Sequence, residues 1–91
     1  MIKILKFTSP TCRPCKVIMP VLEKISEKYG IKLVEIDRDS NKELVEKYNV
    51  RGLPTTILKD GAFVYSFEGY YNTIRKEIED KIEEHCGKKS I

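Results

Sequence analysis

The chain has 91 residues, 41% hydrophobic and 34% charged, with a formal net charge of +3, a length that allows one small domain with a thin core spanning residues 1–91. Charges of both signs are interspersed and part of the basic excess is only Lys88 and Lys89, so nothing reads as a nucleic-acid-binding tail. The opening Met1-Ile2-Lys3-Ile4-Leu5-Lys6 holds no apolar run long enough for a signal peptide or a membrane span, and the expectation is a cytoplasmic protein with no nucleic-acid or membrane partner.

Ile2 to Thr8 reads as a strand with apolar residues on both faces. Ser9-Pro10-Thr11 breaks it. From Arg13 to Tyr29 the pattern is helical, with Ile18, Val21, Leu22, Ile25 and Tyr29 recurring on one face. Pro14 fits the first turn, where its missing N–H is no loss. Pro20 falls inside the helix and is expected to kink it, and Gly30 ends it. Ile31 to Asp37 is a second strand. Ser40-Asn41-Lys42-Glu43 has the spacing of a capping box and opens a short helix with Leu44, Val45 and Tyr48 on its buried side. Two strands joined through a helix suggest a parallel βαβ unit with a right-handed crossover. Thr55–Lys59 and Ala62–Phe67 are further strands, and Asp60-Gly61 between them is a strong hairpin signal. Ile74, Ile78 and Ile82 mark a last helix, Asn72 to His85. The order is β-α-β-α-β-β-α.

Two of the three cysteines form Cys12-Arg13-Pro14-Cys15, just after a strand and just before a long helix. A helix N-terminus offers unpaired N–H groups and partial positive charge, both of which favour a thiolate over a thiol. The second thiol lies one turn away, near enough to attack a disulfide formed by the first. In a reducing compartment this argues for redox or metal chemistry over a structural disulfide, and a loop this small would stabilise little. A zinc site needs two more ligands. Only His85 and Cys86 could supply them, and neighbours on a helix point about 100° apart. We therefore expect no metal. Cys86 continues the Ile74-Ile78-Ile82 stripe and reads as a small core hydrophobe; His85 reads as a residue favourable to the helix C-terminal dipole.

Pro54, in Val50-Arg51-Gly52-Leu53-Pro54-Thr55, is unusual at the start of a good strand. An edge position or a cis peptide bond would each explain it. Taken together, Thr11-Cys12-Arg13-Pro14-Cys15-Lys16, Pro20, Ile36-Asp37, Arg51-Gly52-Leu53-Pro54-Thr55, Asp60-Gly61 and Gly69 resemble the thioredoxin family over nearly the whole chain. The resemblance implies a four-stranded mixed sheet in the order 2-1-3-4, with the first and third helices on one face and the second on the other. It also implies that Pro54 is cis, packs beside the cysteine pair and excludes a metal ion. The Leu53 backbone would then pair with an extended substrate strand. Thr11, Gly69 and Tyr70 would join Leu53 and Pro54 in contacting substrate; alternatively, Tyr71 opens the buried helix stripe and Tyr70 lies on the surface.

The chain also departs from the family pattern. Thr11 stands where a Trp is usual, Arg13 where a Gly is usual, and Lys6 where a buried acid is usual. The family's first strand and helix are missing, so the chain resembles a minimal member, near glutaredoxin in size. Glu68-Gly69-Tyr70-Tyr71-Asn72 stands in place of a glutathione-binding loop. Lys6 is either a strand lysine whose ammonium snorkels to water or a cation that stabilises the second thiolate. Arg13 is either merely exposed or lowers the thiol pKa and steers acidic substrates. With Pro14 these are the residues expected to tune the pair, and the cations would raise its potential above the ~−270 mV typical of thioredoxin.

The function implied is that of a monomeric thiol-disulfide oxidoreductase needing no cofactor. Cys12 attacks a substrate protein's disulfide and Cys15 resolves the mixed disulfide. A reductase of the thioredoxin-reductase type, or glutathione, restores the dithiol. The alternatives are a glutaredoxin-like enzyme drawing on glutathione, or a non-catalytic strand-binding module with a redox switch.

Overall fold

The computed structural model describes residues 1–87; Lys88 and Lys89 lie outside the described residues. The elements are β1 (Lys3–Thr8), α1 (Arg13–Tyr29), β2 (Lys32–Asp37), α2 (Lys42–Lys47), β3 (Thr55–Asp60), β4 (Phe63–Glu68) and α3 (Ile74–Cys86). They build one sheet in the order β2-β1-β3-β4, with β1 and β2 parallel and the other pairs antiparallel. This is the expected topology.

Alternation along the strands sends side chains to two layers. On one face Ile4, Leu58 and Phe67 meet Ile18, Leu22 and Ile25 of α1 and Ile74, Ile78 and Ile82 of α3. On the other, Leu5, Phe7, Ile36 and Ile57 meet Leu44, Val45 and Tyr48 of α2. Each fully buried side chain of this size contributes about 1.5–3 kcal/mol relative to exposure. The α2 residues are only half-buried, so the smaller helix closes its face less completely.

α1 runs through Pro20 as one helix. Pro20 and Lys16 are both exposed, and Pro20 deprives the Lys16 carbonyl of its usual intrahelical donor. Gly30 ends α1 with φ 64°, and its N–H returns to the Ser26 carbonyl, an ending that glycine adopts without steric cost. The hairpin has a two-residue loop, Asp60 pairing with Phe63, and Gly61 at φ 60° supplies the conformation the turn needs.

Three local expectations are corrected. The capping box does not form. Asn41 occupies the N-cap of α2 without a side-chain hydrogen bond, because the Ser40 hydroxyl donates to Asp37 at 2.9 Å instead. Tyr71 does not open the buried stripe. α3 starts at Ile74, and Tyr71 stays 36% exposed with its hydroxyl donating to Glu77; burial of the phenol and that carboxylate push its pKa to about 12. Cys86 is exposed rather than in the core. Each i+4 step rotates about 40° around the helix, so three steps carry Cys86 off the stripe that Ile74 begins.

Charged contacts fasten α3. Glu79 accepts hydrogen bonds from Lys28 and Arg75, and Tyr29 donates to Glu83 at 2.6 Å. His85 stacks on Phe63 with centroids 3.9 Å apart and hydrogen-bonds Asp60 at 3.0 Å. It therefore ties the end of α3 to the hairpin, a role that its place near the helix C-terminus did not reveal. No helix among the described residues is long and apolar enough to cross a membrane.

Candidate active site

The end of the sheet where β1 finishes, β3 begins and β4 finishes gathers the predicted site residues. After Thr8 the chain turns through Ser9-Pro10-Thr11, whose Ser9 carbonyl accepts the Cys12 N–H at 3.2 Å. The Ser9 and Thr11 hydroxyls bond each other at 3.3 Å, and Thr11 itself is exposed. This loop delivers Cys12 to the N-cap of α1 with extended backbone, φ −93° and ψ 106°. Cysteine is not among the usual capping residues, yet here its sulfur performs the capping: the Cys15 N–H donates to Cys12 Sγ at 3.2 Å.

Cys12 and Cys15 are joined as a disulfide with Cα atoms 5.3 Å apart. Their environments differ. Cys12 is half-buried, whereas Cys15 is 1% exposed. The first turn of α1 carries no acid, and Arg13, Pro14 and Lys16 are exposed around it. The site is thus electropositive from three sources: the helix N-terminus, Arg13 and Lys16.

The Leu53–Pro54 bond is cis. Pro54 is buried, and its carbonyl accepts the Gly69 N–H at 2.7 Å. Gly69 has φ 84°, in the region that disfavours any side chain. Extending the β1–β3 register one step beyond Phe7–Thr55 brings Thr8 opposite Pro54. Leu53 is half-buried, and neither its N–H nor its C=O finds a partner among the described residues. Tyr70 is 42% exposed beside Gly69. Leu53, Pro54, Gly69 and Tyr70 thus come together at the end of the sheet where β1 runs on toward the N-terminus of α1.

Of the two readings of Lys6, the structure overturns the snorkelling one. Lys6 is 2% exposed, so its ammonium does not snorkel to water. Nζ instead reaches Glu35 Oε2 at 3.1 Å and Met19 Sδ at 3.4 Å. Glu35 is the register partner of Lys6 on β2, so the two side chains rise on the same face, beneath α1. The cation is balanced where it sits. Thr56, across from Lys6 on β3, is fully buried, and its Oγ1 has no hydrogen-bond partner among the described residues.

Two further residues at this end escaped the sequence reading. Glu68 pairs with Thr55 and folds its carboxylate over Gly52, where an added Cβ would lie 3.2 Å from Glu68 Cδ and overlap Oε2. Glu35 is the other. Among the described residues no group of three or more His, Cys, Asp or Glu could hold a metal. His85, bonded to Asp60, belongs to the opposite end of β3 from Pro54.

A family model described as Thioredoxin matches residues 1–84. The thioredoxin of Bacillus subtilis (strain 168) is 45% identical over 67 residues, covering 70% of this chain and 64% of that protein. An H-type thioredoxin of Oryza sativa subsp. indica is 35% identical over 86 residues, covering 92% of this chain and 68% of the relative. Among solved structures, a thioredoxin from Nicotiana alata superposes with a TM-score of 0.80 at 28% identity, covering 92% of this chain and 72% of that one. The chain thus spans somewhat less than two thirds of the length of the Bacillus protein.

Proposed function

Because the chain belongs to the thioredoxin family, we propose that it is a thiol-disulfide oxidoreductase that cycles Cys12 and Cys15 between dithiol and disulfide. The observation that carries this reading is the asymmetry of the pair. Cys12 is the half-exposed N-cap whose sulfur accepts an N–H, an arrangement that stabilises a thiolate. Cys15 is buried one turn behind it.

In the reducing direction the Cys12 thiolate attacks one sulfur of a substrate disulfide. That S–S bond breaks, a mixed disulfide forms, and the departing substrate thiolate takes up a proton. Cys15, after losing its proton, attacks Cys12 Sγ. The second substrate sulfur leaves as a thiolate, and the Cys12–Cys15 disulfide holds the two-electron oxidation. The free Leu53 backbone groups would align an extended substrate strand over the dithiol. Pro54, Thr11, Gly69 and Tyr70 would form the walls.

The partners are disulfide-bearing proteins on one side and a reductant on the other, a thioredoxin-reductase-type flavoenzyme or glutathione. A dithiol kept in turnover this way fits a reducing compartment such as the cytoplasm. The direction of flux follows the relative potentials. Arg13 and the acid-free first turn of α1 favour the thiolate form and hence a potential above the ~−270 mV typical of thioredoxin. Lys6 contributes less than its charge suggests, since Glu35 offsets it.

Dithiothreitol-driven reduction of insulin tests the assignment. Cys12→Ser should abolish turnover, and Cys15→Ser should accumulate a covalent enzyme–substrate disulfide. Normal turnover by Cys12→Ser would refute the nucleophile.

A further inference from the structure

One charge at this end of the sheet is left unused by the disulfide chemistry. Glu68 closes β4 immediately before Gly69, and its carboxylate lies against the Gly52 backbone. Gly52 has no positive φ, so no turn demands a glycine here; the space a side chain would fill is occupied by that carboxylate. Glu68 makes no hydrogen bond or ion pair among the described residues. Arg51, the neighbour of Gly52, is exposed and likewise makes none among them, so it does not hold Glu68. One residue beyond Gly52 lies Leu53, whose N–H and C=O have no partner among the described residues. A strand residue spans about 3.3 Å, so Gly52, against which the carboxylate lies, is about one residue's length from Leu53. The exposed cations Arg13 and Lys16 lie in the first turn of α1.

We propose that Glu68 is a specificity-determining residue, selecting substrate strands that carry a lysine or arginine on the flank of the disulfide lying over Gly52. This rests on the oxidoreductase reading above. An approaching basic side chain meets a carboxylate with no competing partner, while an acidic one meets repulsion at the point where the backbones must pair. Arg13 favours the opposite charge on the opposite flank. The site is therefore bipolar and sorts substrates by the order of charges around the cysteine as well as by their sum.

The test uses disulfide-bridged peptides with Arg, Gln or Glu on one flank or the other, reduced by the full chain with dithiothreitol as donor at low salt. For one flank, kcat/KM for the Arg peptide should exceed that for the Glu peptide by roughly two- to fivefold, as for an exposed ion pair. Glu68→Gln should bring that ratio toward one, and Glu68→Lys should invert it. High salt should flatten the wild-type ratio. A ratio taken within one variant does not depend on how much of it is folded, so loss of stability cannot imitate the result. An unchanged ratio in Glu68→Gln, or equal reduction of all peptides by the wild type, would overturn the inference alone. Failure to reduce any peptide would overturn the oxidoreductase reading and this inference with it.

Discussion

Glu35→Gln is the substitution that most directly weighs the buried charge beneath α1. Lys6 Nζ and Glu35 Oε2 are 3.1 Å apart, with side chains 2% and 50% exposed. Two unit charges at that separation attract by about 5 kcal/mol at an effective dielectric of 20 and by about 1.3 kcal/mol in bulk water. One end is dry and the other half-wet, and the amide keeps an oxygen to accept the hydrogen bond, so about 2 kcal/mol should be lost. Lys6→Met removes the charge at its buried end. It keeps a flexible stem beside Met19 and leaves Glu35 with access to water, so it should cost less than about 0.5 kcal/mol or stabilise the fold. Urea unfolding at pH 7 measures both from the shift in midpoint at constant m. The double variant should match Lys6→Met. Redox titration supplies an independent reading. Glu35→Gln unmasks the ammonium and should raise the Cys12–Cys15 potential, while Lys6→Met should stay near wild type. Equal destabilisation by the two single variants would refute the reasoning, as would an unmoved potential in Glu35→Gln.

Arg13→Ala should lower the potential and shift the pH midpoint of Cys12 alkylation upward, as read by glutathione titration and iodoacetamide kinetics, because it removes a cation next to the N-cap. Ile78→Ala should cost about 2–5 kcal/mol in urea unfolding, since the side chain is fully buried between α3 and the sheet. Stability should fall in acid. Burial pushes the Glu79 carboxyl up, but the hydrogen bonds from Lys28 and Arg75 outweigh it and hold it below its ordinary value of 4.5. The His85 hydrogen bond, then the amino terminus, hold Asp60 below 3.8. Both carboxylates contribute stability that is present above those ordinary values and disappears as the pH falls through the lower folded ones. The urea midpoint should therefore change little from carboxylate protonation between pH 7 and about 5 and drop below about 4, and the drop should be shallower in Glu79→Gln.

Periodicity made the fold legible because each element has a single dry side. Ile18, Leu22 and Ile25 repeat at helical spacing, Leu5 and Phe7 at strand spacing, and Gly30 and Gly61 mark places where a positive φ is needed. The dithiol was legible for a similar reason, since two thiols at a strand-to-helix junction have few other uses. Pairwise polar chemistry was harder to read. Ser40-Asn41-Lys42-Glu43 fits a capping box by spacing, but spacing does not show that Asp37 offers the Ser40 hydroxyl a closer acceptor. Cys86 fits a stripe at i+4, but the rotation of that row away from the core shows only when all three steps are added. Lys6 was in principle within reach. It shares a strand face with Ile4, so α1 must cover it, and a lysine covered by a helix cannot reach water and needs an anion. A parallel β1–β2 pair that aligns Phe7 with Ile36 also aligns Lys6 with Glu35. The missing step was register, which the hydrophobic pattern specifies to within one face but only the assembled sheet fixes to the residue. The consequence reaches the proposed chemistry: the lysine counted from sequence among the cations near the dithiol has a carboxylate 3.1 Å away, so under the oxidoreductase reading Arg13, Lys16 and the helix N-terminus would carry more of the tuning.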